Sequence, residues 1–388
     1  MMKKKILFIV SNMNTGGVPK SLTSLLNVID RKRYDVALMI TAPTGELMEL
    51  LPKDLRLIVN PIWNNLTDRM RGSWQLIKSG HPLLAIGNCI RLCVSFFNKA
   101  KAAELIATMM PPLDEEFDTV VDYNGQQQLY YMVNKIKATK KVTFFHSDYE
   151  KWSFYYDSDK KYFPQVDYIF TISEKCVSSI KRFFPAIESK VKLMENISSQ
   201  SFINELALKD APEISGSSTT LITIGRVCED KGILWAIDAA KILKEHGIDF
   251  KWFFIGPIDK PADYKAYMAA KDIEDEIIFL GVRTNPYPYI RESDIVVHPS
   301  KFEGRSIALD EAKLLCKPIV VTNFSTVGDQ FTNGHNATIC GMNPQSIASS
   351  ILELITNHER RQIYVENLKA EAHDNTSEIE KLYNIFDD

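Results

Sequence analysis

The feature that most constrains this chain is its rhythm. Short β-branched or aromatic runs alternate with stretches of helical periodicity, which is the pattern of strand-helix-strand units that build parallel sheets. In the first half the runs are Lys5–Val10, Val36–Ile40, Thr119–Asp122, Val142–Phe145, Tyr168–Ile172 and Lys190–Met194. A polar passage at 198–220, "SSQSFINELALKDAPEISGSSTT", interrupts them. The rhythm then restarts with Leu221–Ile224, Trp252–Ile255, Ile277–Leu280, Ile295–His298, Pro318–Thr322 and Ala337–Ile339. At 388 residues the chain exceeds the size at which one core keeps growing. The expectation is an α/β protein of two Rossmann-like domains, 1–200 and 201–375, with a cleft between them beyond the strand ends. "ILWAIDAAKILKEHG" reads as a helix closed by Gly247. The tail "SEIEKLYNIFDD" opens with a capping box, Ser377 to Glu380, and is expected to form a final helix, 376–388, packing back on the first domain.

A net charge of -3 gives no reason to expect nucleic acid as a partner. The six cysteines form no C-x-x-C pair and suit a reducing cytosol. The apolar run Ile6–Val10 is too short for a signal-peptide core, and no window is long enough for a membrane span. Segment 62–110 is different. It carries six Lys/Arg (69, 71, 78, 91, 99, 101) against Asp68 and Glu104, an excess of 6 − 2 = +4, interleaved with Trp63, Trp74, Phe96 and Phe97. That mixture suits helices lying at an anionic lipid surface, on the inner face of the cytoplasmic membrane, and equally suits amphipathic helices closing over their own domain.

The turn "NTGGVPKS", Asn14 to Ser21, follows the first strand and poses the question of which phosphate it faces. A Walker loop needs a glycine before Lys20-Ser21, where Pro19 has no N–H to give. A dinucleotide fingerprint needs G-x-G-x-x-G, and only Gly16-Gly17 is present. What remains is a tight strand-to-helix turn whose bare backbone admits a ligand near a helix N-terminus, or a plain structural turn.

The segment richest in chemistry is "VVHPSKFEGRSIALDEAKLLCKPIVVT". A strand ends at His298, a loop carries Glu303 and Gly304, and a helix begins near Ser306. Such a helix start offers unpaired N–H groups and partial positive charge to an anion. Glu303 lies just before it and Glu311 about five residues past it, roughly 7.5 Å along the axis. The two carboxylates bracket a bound diphosphate, one within reach of sugar hydroxyls and the other of a ribose.

This segment resembles the E-x₇-E region of the retaining glycosyltransferases of family 4, which have the GT-B fold of two Rossmann-like domains. The resemblance extends to "LITIGRVCEDKG", "VDYIFTISEKCVSSI" and "KLMENIS", and the form "EGRSIALDEAK…KPIVVTNFSTVGDQ" is most similar to bacterial capsular and exopolysaccharide transferases. It implies a metal-independent enzyme of the hexosyltransferase type, without cofactor. Such an enzyme moves a sugar from a nucleoside-diphosphate donor, such as a UDP sugar, to a saccharide or lipid-linked saccharide. It further implies that Arg226 and Lys231 neutralise the diphosphate and that Gly304, Arg305, Ser306 and Ile307 hold it. Glu303 would meet the sugar and Glu311 the ribose. Gly16-Gly17 would approach the phosphates and the acceptor from the first domain, with Lys20 adding charge. His146, in "FFHSDYEKW", falls where the family places a histidine near the donor sugar; Asp148 or Glu150 orients it, or Asp148 faces the acceptor. No side chain is needed as a base, because in such enzymes the departing phosphate receives the acceptor proton on the same face of the sugar.

Other patterns read as structural. "DSD" at Asp157–Asp159 imitates a manganese motif but suits a solvated loop, "CIRLC" suits apolar packing, and no zinc-spaced ligand cluster appears. Arg305-Ser306 and Cys316-Lys317 depart from the family's usual residues, and Arg305 is placed to pair with a phosphate or an acidic donor sugar. Two rivals stand: a nucleotide-sugar 2-epimerase on the same architecture, and a catalytically silent partner subunit.

Overall fold

The computed structural model describes residues 3–209, 214, 218–371 and 374–388. The chain divides into two units: Met1–Asn196 with Ser377–Asp388, and Ile197–Thr376.

The first unit is built on seven strands: β1 (Lys4–Val10), β2 (Tyr34–Ile40), β3 (Arg56–Ile58), β4 (Phe117–Asp122), β5 (Ala138–Phe145), β6 (Tyr168–Thr171) and β7 (Val191–Leu193). All neighbours are parallel, in the order β3-β2-β1-β4-β5-β6-β7. Helices cover both faces of such a sheet, so a central strand is apolar on both sides. Ile6 to Val10 of β1 are accordingly fully buried. The second unit repeats the plan with β8 (Thr219–Ile224), β9 (Phe250–Ile255), β10 (Ile277–Gly281), β11 (Ile295–His298), β12 (Ile319–Thr322) and β13 (Thr338–Cys340). Their order is β10-β9-β8-β11-β12-β13, again all parallel. Strand order reverses between β1 and β4 in one sheet and between β8 and β11 in the other. Beyond those carboxyl ends an open α/β sheet leaves its crevice.

The expected strands are present, within a few residues at their ends. β3 was not expected, because it is a three-residue edge strand with two exposed positions. The polar passage holds a helix, Gln200–Ala207, while its residues 210–213 and 215–217 lie outside the described residues. The helix Ile233–Glu245 stops as expected. Gly247 is left-handed at φ 73, its N–H reaching Lys244 O at 2.9 Å while Ile248 N–H reaches Leu243 O at 3.2 Å.

The capping box at Ser377 does not form. A 3₁₀ turn, Thr376–Ile379, leads into the helix Glu380–Asp387, whose cap position Ile379 has no side chain able to accept. Asp374 takes the Thr376 N–H instead, at 2.9 Å. The tail belongs to the first unit: Tyr383 and Phe386 set their rings 5.2 and 5.3 Å from that of Tyr34.

Segment 62–110 forms the helices Pro61–Thr67, Gly72–Lys78, Pro82–Phe97 and Lys99–Met109. Two residues of its basic-aromatic mixture face inward, as the reading of helices closing over their own domain has it: Trp63 is buried against Tyr131, and Arg91 is buried with Nη2 2.8 Å from Asn88 Oδ1. Cys89 and Cys93 are exposed rather than packed. The "DSD" reading is also corrected. Asp159 is fully buried, accepting from Tyr130 and Tyr149 hydroxyls at 2.7 Å each, and burial raises its carboxyl to about 6.

Candidate active site

In the second unit the chemistry gathers at the β8/β11 reversal. After β8 the backbone turns at Gly225 (φ 145), passes Arg226, makes a 3₁₀ turn over Glu229–Lys231 and enters a helix through left-handed Gly232 (φ 72). Only glycine fits at 232, since a Cβ there would sit 1.9 Å from the Pro299 carbonyl oxygen. Lys301 N–H bonds Asp230 O at 2.9 Å across the same seam. The loop after β8 is therefore pressed onto the loop after β11, and the contact delivers Lys231 to Glu303.

Glu303 is buried. Its Oε1 accepts from Lys231 Nζ at 2.5 Å, His298 Nε2 at 2.7 Å and Ser300 Oγ at 2.9 Å. Burial opposes ionisation, but the hydrogen bonds and charges of His298 and Lys231 outweigh it and hold the carboxyl at about 2. Oε2 takes no hydrogen bond among the described residues, so one oxygen is anchored and the other is available. Thr322 Oγ1 ties the loop down, donating to Ser300 O at 2.6 Å, and Thr326 Oγ1 donates to Glu303 O at 3.0 Å.

The helix Ile307–Leu314 follows. Ser306 is not free to donate to an anion, because Gln330 Oε1 accepts its N–H at 3.0 Å while Gln330 Nε2 reaches Ser306 O and Asp310 Oδ1 at 2.9 Å. The amides without i−4 partners are then those of Ile307, Ala308 and Leu309. Arg305 is not turned toward a ligand either. Its Nε lies 3.1 Å from Asp310 Oδ2, and both side chains are largely covered. Glu311 is buried, with Oε1 accepting from the Tyr287 hydroxyl at 2.8 Å. Arg226 is exposed and paired with Asp259 at 3.2 Å.

In the first unit the loop after β1 carries Gly16 and opens the helix Gly17–Val28. The following loop grips it. Met13 N–H bonds Thr44 O at 2.8 Å, and Gly45, at φ 123, lies so close to Met13 that a Cβ would fall 2.0 Å from its carbonyl carbon. Lys20 N–H caps back to Gly16 O at 3.1 Å. Beside this loop Ser21 Oγ bonds the Tyr123 hydroxyl and Asn196 Oδ1, each at 2.8 Å. Tyr123 and Phe144 flank the His146 ring at 4.7 and 5.6 Å. Both His146 ring nitrogens are buried without a geometric partner among the described residues, and burial pulls the imidazole down to about 4. Asp148 is committed within its own unit, accepting from Ser179 Oγ at 2.6 Å and from Glu150 N–H at 3.1 Å. Glu150 pairs with Arg182 at 3.0 Å rather than with His146.

Of the residues singled out in the sequence, the structure joins Lys231 to Glu303, while Arg226 lies with Asp259 and Glu311 with Tyr287. Sequence reasoning missed His298, Ser300, Gln330 and Tyr287. The signal for the first two was a histidine and a serine five and three residues before the key glutamate.

Residues 205–371 match the family described as glycosyl transferases group 1. A capsular polysaccharide biosynthesis glycosyltransferase of Staphylococcus aureus is 26% identical over 172 residues, 42% of this chain and 45% of that protein. A UDP-Gal:alpha-D-GlcNAc-diphosphoundecaprenol alpha-1,3-galactosyltransferase of Escherichia coli is 27% identical over 163 residues, 41% of this chain and 36% of that protein. The chain thus spans less than half the length of the curated relatives it matches. Among solved structures, an Anabaena protein, HepE, in complex with UDP and glucose covers 99% of both chains at 16% identity with a TM-score of 0.69. Together these findings show the GT-B fold, with residues 205–371 matching the group 1 glycosyl transferases and resembling bacterial polysaccharide glycosyltransferases.

Proposed function

We propose that this chain is a retaining, metal-independent glycosyltransferase. It would move a sugar from a nucleoside-diphosphate donor to a saccharide, most readily a lipid-linked one at the cytoplasmic face of a membrane. The observation that carries the reading is Glu303. Its Oε1 is fixed by three donors and its Oε2 is left over, beside a helix start with unpaired amides. A carboxylate held ionised with one oxygen to spare is suited to a sugar hydroxyl.

In this reading the donor diphosphate rests against the amides of Gly304 and Ile307. Lys231 has three donor hydrogens and gives one to Glu303, so it can hold the carboxylate and a phosphate oxygen together. Arg226 exchanges Asp259 for the second phosphate. These charges stabilise the departing diphosphate, whose own oxygen takes the acceptor proton on the face it leaves. Glu311, whose Oε1 accepts from Tyr287, is the carboxylate proposed to meet the ribose. In the first unit the glycine turn at Gly16-Gly17, Lys20 and neutral His146 are the residues proposed to meet substrate. Asp148 is left with a structural role. The diphosphoundecaprenol in the Escherichia coli relative's name favours a lipid-linked acceptor.

The test is a panel of nucleotide sugars screened for thermal stabilisation, followed by transfer assays in chelator, with the product's anomeric configuration read by NMR. Transfer with retention supports the reading. Epimerised donor without transfer would replace it with the epimerase, and stabilisation by no nucleotide would replace it with the silent subunit.

A further inference from the structure

The helix Pro82–Phe97 is amphipathic in the wrong sense for a water-soluble surface. Its inward face carries Asn88 and Arg91, both buried and bonded to each other through Asn88 Oδ1 at 2.9 and 2.8 Å. Its outward face carries Leu83, Ile86, Ile90 and Phe97, which fall within about 60° of one another at 100° per residue. They are 82%, 58%, 56% and 92% exposed, and Phe96 adds a further ring. The preceding helix, Gly72–Lys78, leaves Trp74 and Ile77 exposed as well. Burying a guanidinium while presenting leucine, isoleucine and phenylalanine to water is unfavourable on both counts. An apolar medium outside the helix reverses the second.

Charge identifies the medium. Arg69, Arg71, Lys78, Lys99 and Lys101 are all exposed in the same segment, Lys78 over the Trp74 ring, and of the two acidic residues in the segment Glu104 is already engaged by Ser158 and Lys101. A second copy docking through the same patch would set these cations against their own kind. Anionic headgroups complement them. Sixteen residues span about 24 Å, short of the roughly 30 Å of a bilayer core, so the helix lies in the interface rather than crossing it.

We propose that the outward face of Pro82–Phe97, together with these exposed cations of the same segment, is a docking surface for an anionic lipid bilayer. This deepens the lipid-linked acceptor reading by bringing the enzyme to the surface where such an acceptor resides. The surface can nevertheless be measured without donor, acceptor or turnover, so either reading can fail alone.

The experiment is co-sedimentation of the full chain with phosphatidylcholine vesicles, with and without phosphatidylglycerol, alongside gel filtration. The expected result is pelleting that requires phosphatidylglycerol and falls as salt rises. Ile86→Glu with Ile90→Glu should weaken it by about tenfold or more. Since both side chains already face solvent, the melting temperature should hold; a Lys99→Glu, Lys101→Glu variant repeats the test through charge alone. Wild type remaining in the supernatant with anionic vesicles overturns the proposal. So does a dimer on gel filtration that Ile86→Glu with Ile90→Glu dissociates, because it would make this face a contact between copies.

Discussion

Lys231 Nζ lies 2.5 Å from Glu303 Oε1 although 72 residues separate them, and a glycine with no room for a methyl group closes the distance. Every feature of the candidate site depends on that meeting of two loops.

Glu303→Gln keeps the shape and removes the charge. We expect turnover to fall by about a hundredfold or more, with circular dichroism unchanged. Wild-type activity in steady-state transfer assays would remove Glu303 from the site.

The same carboxyl should report on stability. Its pKa falls from 4.5 in the unfolded chain to about 2 in the folded one, so between those values the unfolded state binds more protons. Stability from this group is complete above about pH 4.5 and is lost as pH falls toward 2, about 3 kcal/mol in all. Denaturant titrations should show that dependence in wild type and its absence in Glu303→Gln.

His146 should act in a separate window. Burial lowers its pKa from 6.5 to about 4, so stability is lost as pH falls from about 6.5 to 4. His146→Phe should flatten the pH–stability curve there and leave the region below 4 intact. In wild type this imidazole is neutral at pH 7, and no activity limb near 6.5 should belong to it.

Gly232 and Gly247 share nearly the same left-handed φ, 72 and 73, but only Gly232 is hemmed in. Gly247→Ala should cost about 1 kcal/mol and leave activity alone. Gly232→Ala should cost more, about 2–3 kcal/mol, and reduce turnover by displacing Lys231. Melting curves and kcat/KM for the two variants decide the matter.

Gly16 poses the opposite case. Its φ of −178 suits any residue, and a Cβ would meet nothing nearer than 3.8 Å. Gly16→Ala should therefore melt like wild type. Under the proposed function it should still raise the donor KM or lower kcat, since the added methyl group meets the ligand rather than the protein.

The strands were legible because buried parallel strands are continuous apolar runs. β3 escaped because an edge strand of three residues needs no such run. Glu303 and Lys231 were readable from their place after strand ends. Their partners His298, Ser300 and Gln330 were not, because hydrogen bonding between loops leaves no periodic trace. Composition also could not decide whether Trp63 and Arg91 of 62–110 face a surface or their own domain. The structure buries both, because helix phase decides which face a residue joins and composition carries no phase.

The last helix has a consequence for how the molecule is made. Tyr383 and Phe386 complete the first unit's packing around Tyr34, yet in synthesis they follow all of the second unit. During translation that flank of the amino-terminal sheet stays uncovered until the whole second unit has been synthesised, so the first unit's packing is completed by the residues made last.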